Sequence, residues 1–161
     1  MKVVCDSSVL IGLAKIGKVQ LLAEIYSEVY IPDAVFVEVV GKGKGRSGVR
    51  EVEAAKWIHK KKVKDKRMVE ILISEIGHGE AEVLVLGKEL NADWLIIDDE
   101  RARAAAVSAG FHIIGLAGIL MIAKQLKLIP SVKKLFDELR NKNFRLSDNI
   151  CKEVLKKLGE K

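Results

Sequence analysis

Leu95-Ile96-Ile97-Asp98-Asp99 sets three consecutive aliphatic residues against two acids, and Val3-Val4-Cys5-Asp6 repeats the pattern near the start of the chain. A short unbroken apolar run suits a strand covered on both faces, which is the habit of parallel sheets. In such a sheet the carboxyl ends of the strands gather at one edge, where ligands bind. Asp6 and Asp98, each closing such a run, are therefore expected at that same edge.

Working outward, the runs Val29–Ile31 and His112–Ile114 read as further strands, each bordered by helical periodicity. Ser7 and Ser8 offer a cap for a helix through Lys15, and Val19 to Tyr26 forms a second short one. Pro32 stops a strand, and Asp33 caps a helix that carries Val35, Phe36, Glu38, Val39 and Val40. Gly41, Gly43, Gly45 and Gly48 punctuate a basic connection with no definable shape. Val49 to Ile58 reads as helix, and the stretch to Lys66 as a short exposed strand or a loop. Val69 to Ile76 is helical, broken at Gly77-His78-Gly79, and Glu80 opens a helix through Leu90. Arg101 to Ala109 is helical up to Gly110. Three helices close the chain near 116–126, 131–141 and 148–158, with Ser147 as a cap. Strands alternating with helices give an α/β class: a three-layer α/β/α sandwich with a central parallel sheet and a helical C-terminal extension from about 116 to 158.

At 161 residues the chain has the length of one domain, expected over 1–161. No apolar run approaches the length of a membrane span. A strand that starts within three residues of Met1 leaves no room for a signal peptide. Cys5 and Cys151 lack a CxxC spacing, which fits free thiols and a cytoplasmic location. The formal charge of +6 is concentrated: residues 42–67 hold eleven Lys or Arg against three acids, while the remainder is slightly acidic. Most charge runs are solvated faces. A basic stretch beside an acidic site also suits a polyanion held by its backbone.

Four carboxylates stand out: Asp6, Glu38, Glu80 and Asp98. Singly, each has an ordinary explanation. Asp6 is placed for a turn or cap, Glu80 for a first helical turn, and Asp98-Asp99 for capping the helix from Glu100. Glu38 is the exception, an acid inside an apolar helix, where an unpaired carboxylate costs several kcal/mol. Gathered at one edge, like charges about 4 Å apart repel by roughly 4 kcal/mol per pair at an effective dielectric of about 20. Protons or cations must neutralise them. An oxygen-rich cluster without histidine suits Mg²⁺ or Mn²⁺, and so metal-assisted chemistry on phosphate esters. Glu82 lies roughly 200° around the helix from Glu80 and is expected in solvent.

These pieces resemble the PIN-domain ribonucleases, and specifically the VapC-like prokaryotic group. The match rests on Val3-Val4-Cys5-Asp6-Ser7-Ser8, Ile31-Pro32-Asp33-Ala34-Val35 with Glu38, Gly79-Glu80-Ala81-Glu82, and Leu95-Ile96-Ile97-Asp98-Asp99 with Arg101 and Arg103. It continues through Gly115-Leu116-Ala117-Gly118 and Leu128-Ile129-Pro130, nearly the whole chain. The resemblance implies that Asp6, Glu38, Glu80 and Asp98 form the family's acidic quartet, binding Mg²⁺ or Mn²⁺ and hydrolysing RNA phosphodiesters. Where many relatives carry one Asp this chain has two, so Asp99 joins the candidate metal ligands. Ser7 falls where the family carries a small hydroxyl or amide residue. The implied substrate contacts are Ser7, Arg101, Arg103, and Lys60, Lys61, Lys62 and Lys64 of the basic stretch. An antitoxin protein and a homodimer are the implied partners.

Two other classes compete. A haloacid-type phosphatase wants a second Asp two positions after the first, where this chain has Ser8, and a phosphoacceptor domain wants paired acids where Cys5 precedes Asp6. A PIN scaffold that binds RNA or a protein without cleaving gains nothing from four mutually repelling carboxylates.

Overall fold

The computed structural model of the chain describes residues 1–43 and 49–161. In chain order the elements are β1 (Lys2–Cys5), α1 (Ser7–Lys15), α2 (Leu21–Ile25), β2 (Glu28–Pro32), α3 (Asp33–Gly43), α4 (Val49–Ala54), β3 (Ile58–Lys61), α5 (Lys66–Ile73), α6 (His78–Glu89), β4 (Trp94–Ile96), α7 (Glu100–Ser108), β5 (Ile113–Ile114), α8 (Leu116–Gln125), α9 (Val132–Asn141) and α10 (Asp148–Leu158). Among the described residues, five strands form one parallel sheet in the order β3-β2-β1-β4-β5. The chain runs outward from β1 to β2 and β3, then crosses back to β4 and out to β5. Right-handed crossovers therefore put the connecting helices of the two halves on opposite faces. Accordingly α6 lies on β1, β2 and β4 with α5 and α7 beside it, while α1, α2 and α8 pack together. This is the α/β sandwich anticipated above.

The order reverses between β1 and β4, so the topological switch point falls between Cys5 and Ile96, which are paired neighbours. Asp6 and Asp98 follow those two strands. Val3, Val4, Cys5, Leu95, Ile96 and Ile97 are completely buried, which explains the absence of alternation: both faces are covered.

Several details differ from the sequence expectation. Asp6, not a serine, caps α1, its side chain accepting from the Val9 N–H. The helix expected over Val49–Ile58 stops at Ala54, because Ile58 is drawn into a ladder with Val29 and the residues after it extend the sheet. A ladder of backbone hydrogen bonds outweighs a weak periodic signal. Glu82 is not in solvent. Its Oε1 accepts from the Ala34 N–H at 3.1 Å, satisfying the start of α3, and its Oε2 meets His78 Nε2 at 3.0 Å. Nor is α8 an appendage, since Leu116, Ile119, Leu120 and Ala123 are fully buried in the core. Of the basic, glycine-rich connection, residues 44–48 lie outside the described residues.

Candidate active site

Asp6 is held from both sides. Its Oδ1 accepts from the Val9 N–H at 2.9 Å, and its Oδ2 accepts from the Asp98 N–H at 3.1 Å. The side chain of one acid thus grips the backbone of the other across the switch point. Asp6 is only 1% exposed. Burial pushes its carboxyl up to about 7, the charges of Asp98 and Glu80 add to the rise, and the two N–H donors oppose it. Asp98 accepts through Oδ1 from the Leu116 N–H at 3.0 Å, at the start of α8. Burial also raises its pKa, offset by that hydrogen bond and by the positive charge of Arg103. The guanidinium of Arg103 is positioned by the Ile97 carbonyl, to which Nη1 donates at 2.9 Å.

Glu38 enters from α3. The Ser7 hydroxyl donates to its Oε2 at 2.9 Å, so the residue after Asp6 orients a second of the four candidate acids. The sequence reading had given that hydroxyl to the substrate. Glu38 is half-buried, and its neighbours Val35 and Val39 are wholly buried.

Glycines make room for three of the four acids. A Cβ on Gly79 would run into the Glu38 carboxylate, one on Gly77 into that of Glu80, and one on Gly115 into that of Asp98, with Arg103 Nη1 only 2.8 Å away. The break at Gly77-His78-Gly79 therefore lets two helices bring carboxylates to one edge. These cradles were not anticipated. The signal lay in the sequence, as glycines directly before Glu80 and at the start of a helix, but it read as a turn.

The remaining candidates divide. Asp99 caps α7, its Oδ2 accepting from the Ala102 N–H at 2.9 Å, and is exposed at the start of that helix. Arg101 and Arg103 lie about 200° apart on α7. Arg103 stands beside Asp98, whereas Arg101 lines a separate groove with Glu75, Ile76 and Ser108. Lys60 and Lys61 sit on the edge strand β3, Lys62 and Lys64 follow it, and all four are exposed. Lys60 Nζ lies 4.7 Å from the centre of the Phe36 ring, and Lys62 lines a groove with Asp33, Lys66 and His78. Among the described residues, no three acids, histidines or cysteines stand as a ready ligand set for one ion. A groove of about 660 Å³ runs from Asp98 and Arg103 to Arg145 and Ser147. Arg145 was missed because nothing local to it in the sequence signals that this segment folds back to the mouth.

A parallel α/β sheet with a buried and a half-buried acid astride its switch point defines a class of protein that binds ligands at the carboxyl edge. A family model described as a PIN domain matches residues 2–160, and the chain belongs to that family. PIN domains are generally nucleases, hydrolases of phosphodiester bonds. No curated protein matches the chain.

Proposed function

We propose that the chain is a Mg²⁺- or Mn²⁺-dependent endoribonuclease whose reaction centre is Asp6, Glu38, Glu80 and Asp98. The observation that carries the reading is the Asp6–Asp98 arrangement: a nearly inaccessible carboxyl that accepts from its partner's backbone and holds its proton up to about 7. An acid so placed is stabilised by a cation. The donor set fits a hard divalent ion, being all oxygen, and each carboxylate oxygen that accepts one N–H retains a second lone pair. Mg²⁺ keeps several waters and takes one or two carboxylates plus substrate phosphate oxygens.

Asp6 and Asp98 would be the principal ligands, with Glu38 and Glu80 completing the shell. When bound, such an ion lowers the pKa of a coordinated water and stabilises charge on the phosphate. The chain's own groups do the rest. The N–H groups of Val9, Asp98 and Leu116 lock the two aspartates in place. Ser7 fixes the angle of Glu38. Arg103, adjacent to Asp98, neutralises a phosphate oxygen and orients it toward the acids. Single-stranded RNA or a loop fits best, since its backbone can be splayed into an edge groove. The finer family traits, a 5′-phosphate product, a toxin role with an antitoxin partner and a homodimer, rest on the resemblance alone.

Titration of Mn²⁺ into the protein near pH 6.5, in buffers of different ionisation enthalpy, tests the centre without RNA. Binding should release protons, because the carboxyl of Asp6 must ionise to ligate. Asp6→Asn should bind more weakly and release fewer. Equal binding and equal proton release in wild type and variant would remove Asp6 from the centre.

A further inference from the structure

The C-terminal segment carries two arginines of different standing. Arg140 is paired with Asp148, Nη2 to Oδ1 at 2.9 Å. Arg145, five residues on, is exposed, makes no ion pair with an acid among the described residues, and lines the groove that opens from Asp98 and Arg103. The 142–147 link returns the chain from α9 to α10, and α10 packs on α8, whose first N–H is held by Asp98.

The link is held firmly. Lys142 Nζ donates to the Lys15 carbonyl at 2.6 Å and Lys15 Nζ donates to the Lys142 carbonyl at 3.1 Å, tying it to the end of α1. Asn143 turns the chain with φ at +61°, and the Phe144 N–H donates to Leu139 O at 2.9 Å. Beyond α10, Glu160 accepts from Ser131 Oγ and the Val132 N–H, clasping the chain's end onto α9. The backbone that carries Arg145 is thus anchored on both sides, so binding need order only the side chain and not the segment.

We propose that Arg145 forms, with Arg103, a phosphate-binding subsite for the RNA substrate in the groove leading from Asp98, so that the C-terminal segment is one wall of the substrate site. The inference rests on the ribonuclease reading above. The planar fork of Arg matches two phosphate oxygens at once, a geometry that Lys does not reproduce. Arg145 touches none of the four acids and acts as a positioning residue, holding a phosphate flanking the one cleaved.

Steady-state cleavage of a fluorescent single-stranded RNA in Mn²⁺, and metal-free RNA binding at several salt concentrations, test it with Arg145→Gln, Arg145→Lys and the remote control Lys133→Gln. Arg145→Gln should raise KM about tenfold, the effect of one charged hydrogen-bonded contact, while kcat changes by less than about twofold. Its binding should lose salt dependence by about 0.7 in the log–log slope. Arg145→Lys should recover the slope and only part of the KM, and Lys133→Gln should match wild type. Since Arg145 makes no ion pair with an acid among the described residues, the thermal transition of each variant should stay in place. Wild-type KM and slope in Arg145→Gln, with wild-type enzyme cleaving normally, would overturn the subsite and leave the ribonuclease reading intact. Wild-type protein that neither binds nor cleaves RNA would overturn both.

Discussion

Gly79 shows how one missing methyl group decides what a helix can do. It lies in the first turn of α6, where alanine would gain up to about 1 kcal/mol of helix propensity. Its Cβ, however, would occupy the space of the Glu38 carboxylate. Because the obstacle is the tip of a flexible side chain, Gly79→Ala should leave the thermal midpoint unchanged or raised. Cleavage should fall at least about tenfold as Glu38 is displaced. A stable variant with full activity would show that Glu38 is not needed where it stands. Asp6 makes the complementary case through pH. Its folded pKa of about 7 lies above its ordinary 3.8, so the metal-free folded state binds the extra proton between those values. The favourable contribution is full below about pH 4 and lost as pH rises through about 7, an amount of about 4 kcal/mol at about 1.4 kcal/mol per pH unit. Metal-free protein should therefore lose stability from pH 4 to 7 more steeply than Asp6→Asn. The variant should be the less stable of the two near pH 5, since an amide NH₂ now faces one of two N–H donors, and the more stable near pH 8. Parallel stability–pH curves measured by denaturant unfolding would contradict the assignment.

The elements were legible where one physical signal dominated. Apolar runs closed by acids marked β1 and β4, and Ser147 marked the start of α10, its hydroxyl accepting from the Ile150 N–H. The reading erred where partners distant in sequence take over. Ile58 joins β2 instead of continuing a helix, and Glu82 of α6 satisfies the first turn of α3. The edge strand β3 tests what its lysines are for. Lysines on an edge strand discourage pairing with another chain, and that alone would account for Lys60 and Lys61. If Lys60, Lys61, Lys62 and Lys64 also contact phosphates, changing all four to Gln should weaken binding equally for different RNA sequences. The log affinity–log salt slope should become shallower by roughly 0.7 per lost contact. An unchanged slope, with new self-association of the variant, would assign them to edge protection only.

For the molecule as a whole, chain order decides which acids meet. Reversal of strand order at β1 and β4 brings residues 6 and 98 together, and the helices on either side supply Glu38 and Glu80. The four acids stood out as candidates in the sequence, and the structure places Glu80 close enough for its charge to act on Asp6, and Glu38 on the Ser7 hydroxyl. Their glycine cradles, the use of Ser7 on Glu38 and the approach of Arg145 did not stand out in the sequence, because each depends on how distant helices meet. Among the described residues no helix is long and apolar enough to cross a membrane. The most direct test is cleavage of a fluorescent single-stranded RNA by wild type, Asp6→Asn and Asp98→Asn, each with Mn²⁺ and with excess EDTA. Wild type should cut in Mn²⁺, less well in Zn²⁺, and not in EDTA, while both folded variants should be inactive throughout. Cleavage that persists in EDTA, or in both variants at the wild-type rate, would contradict a metal-dependent centre built on Asp6 and Asp98.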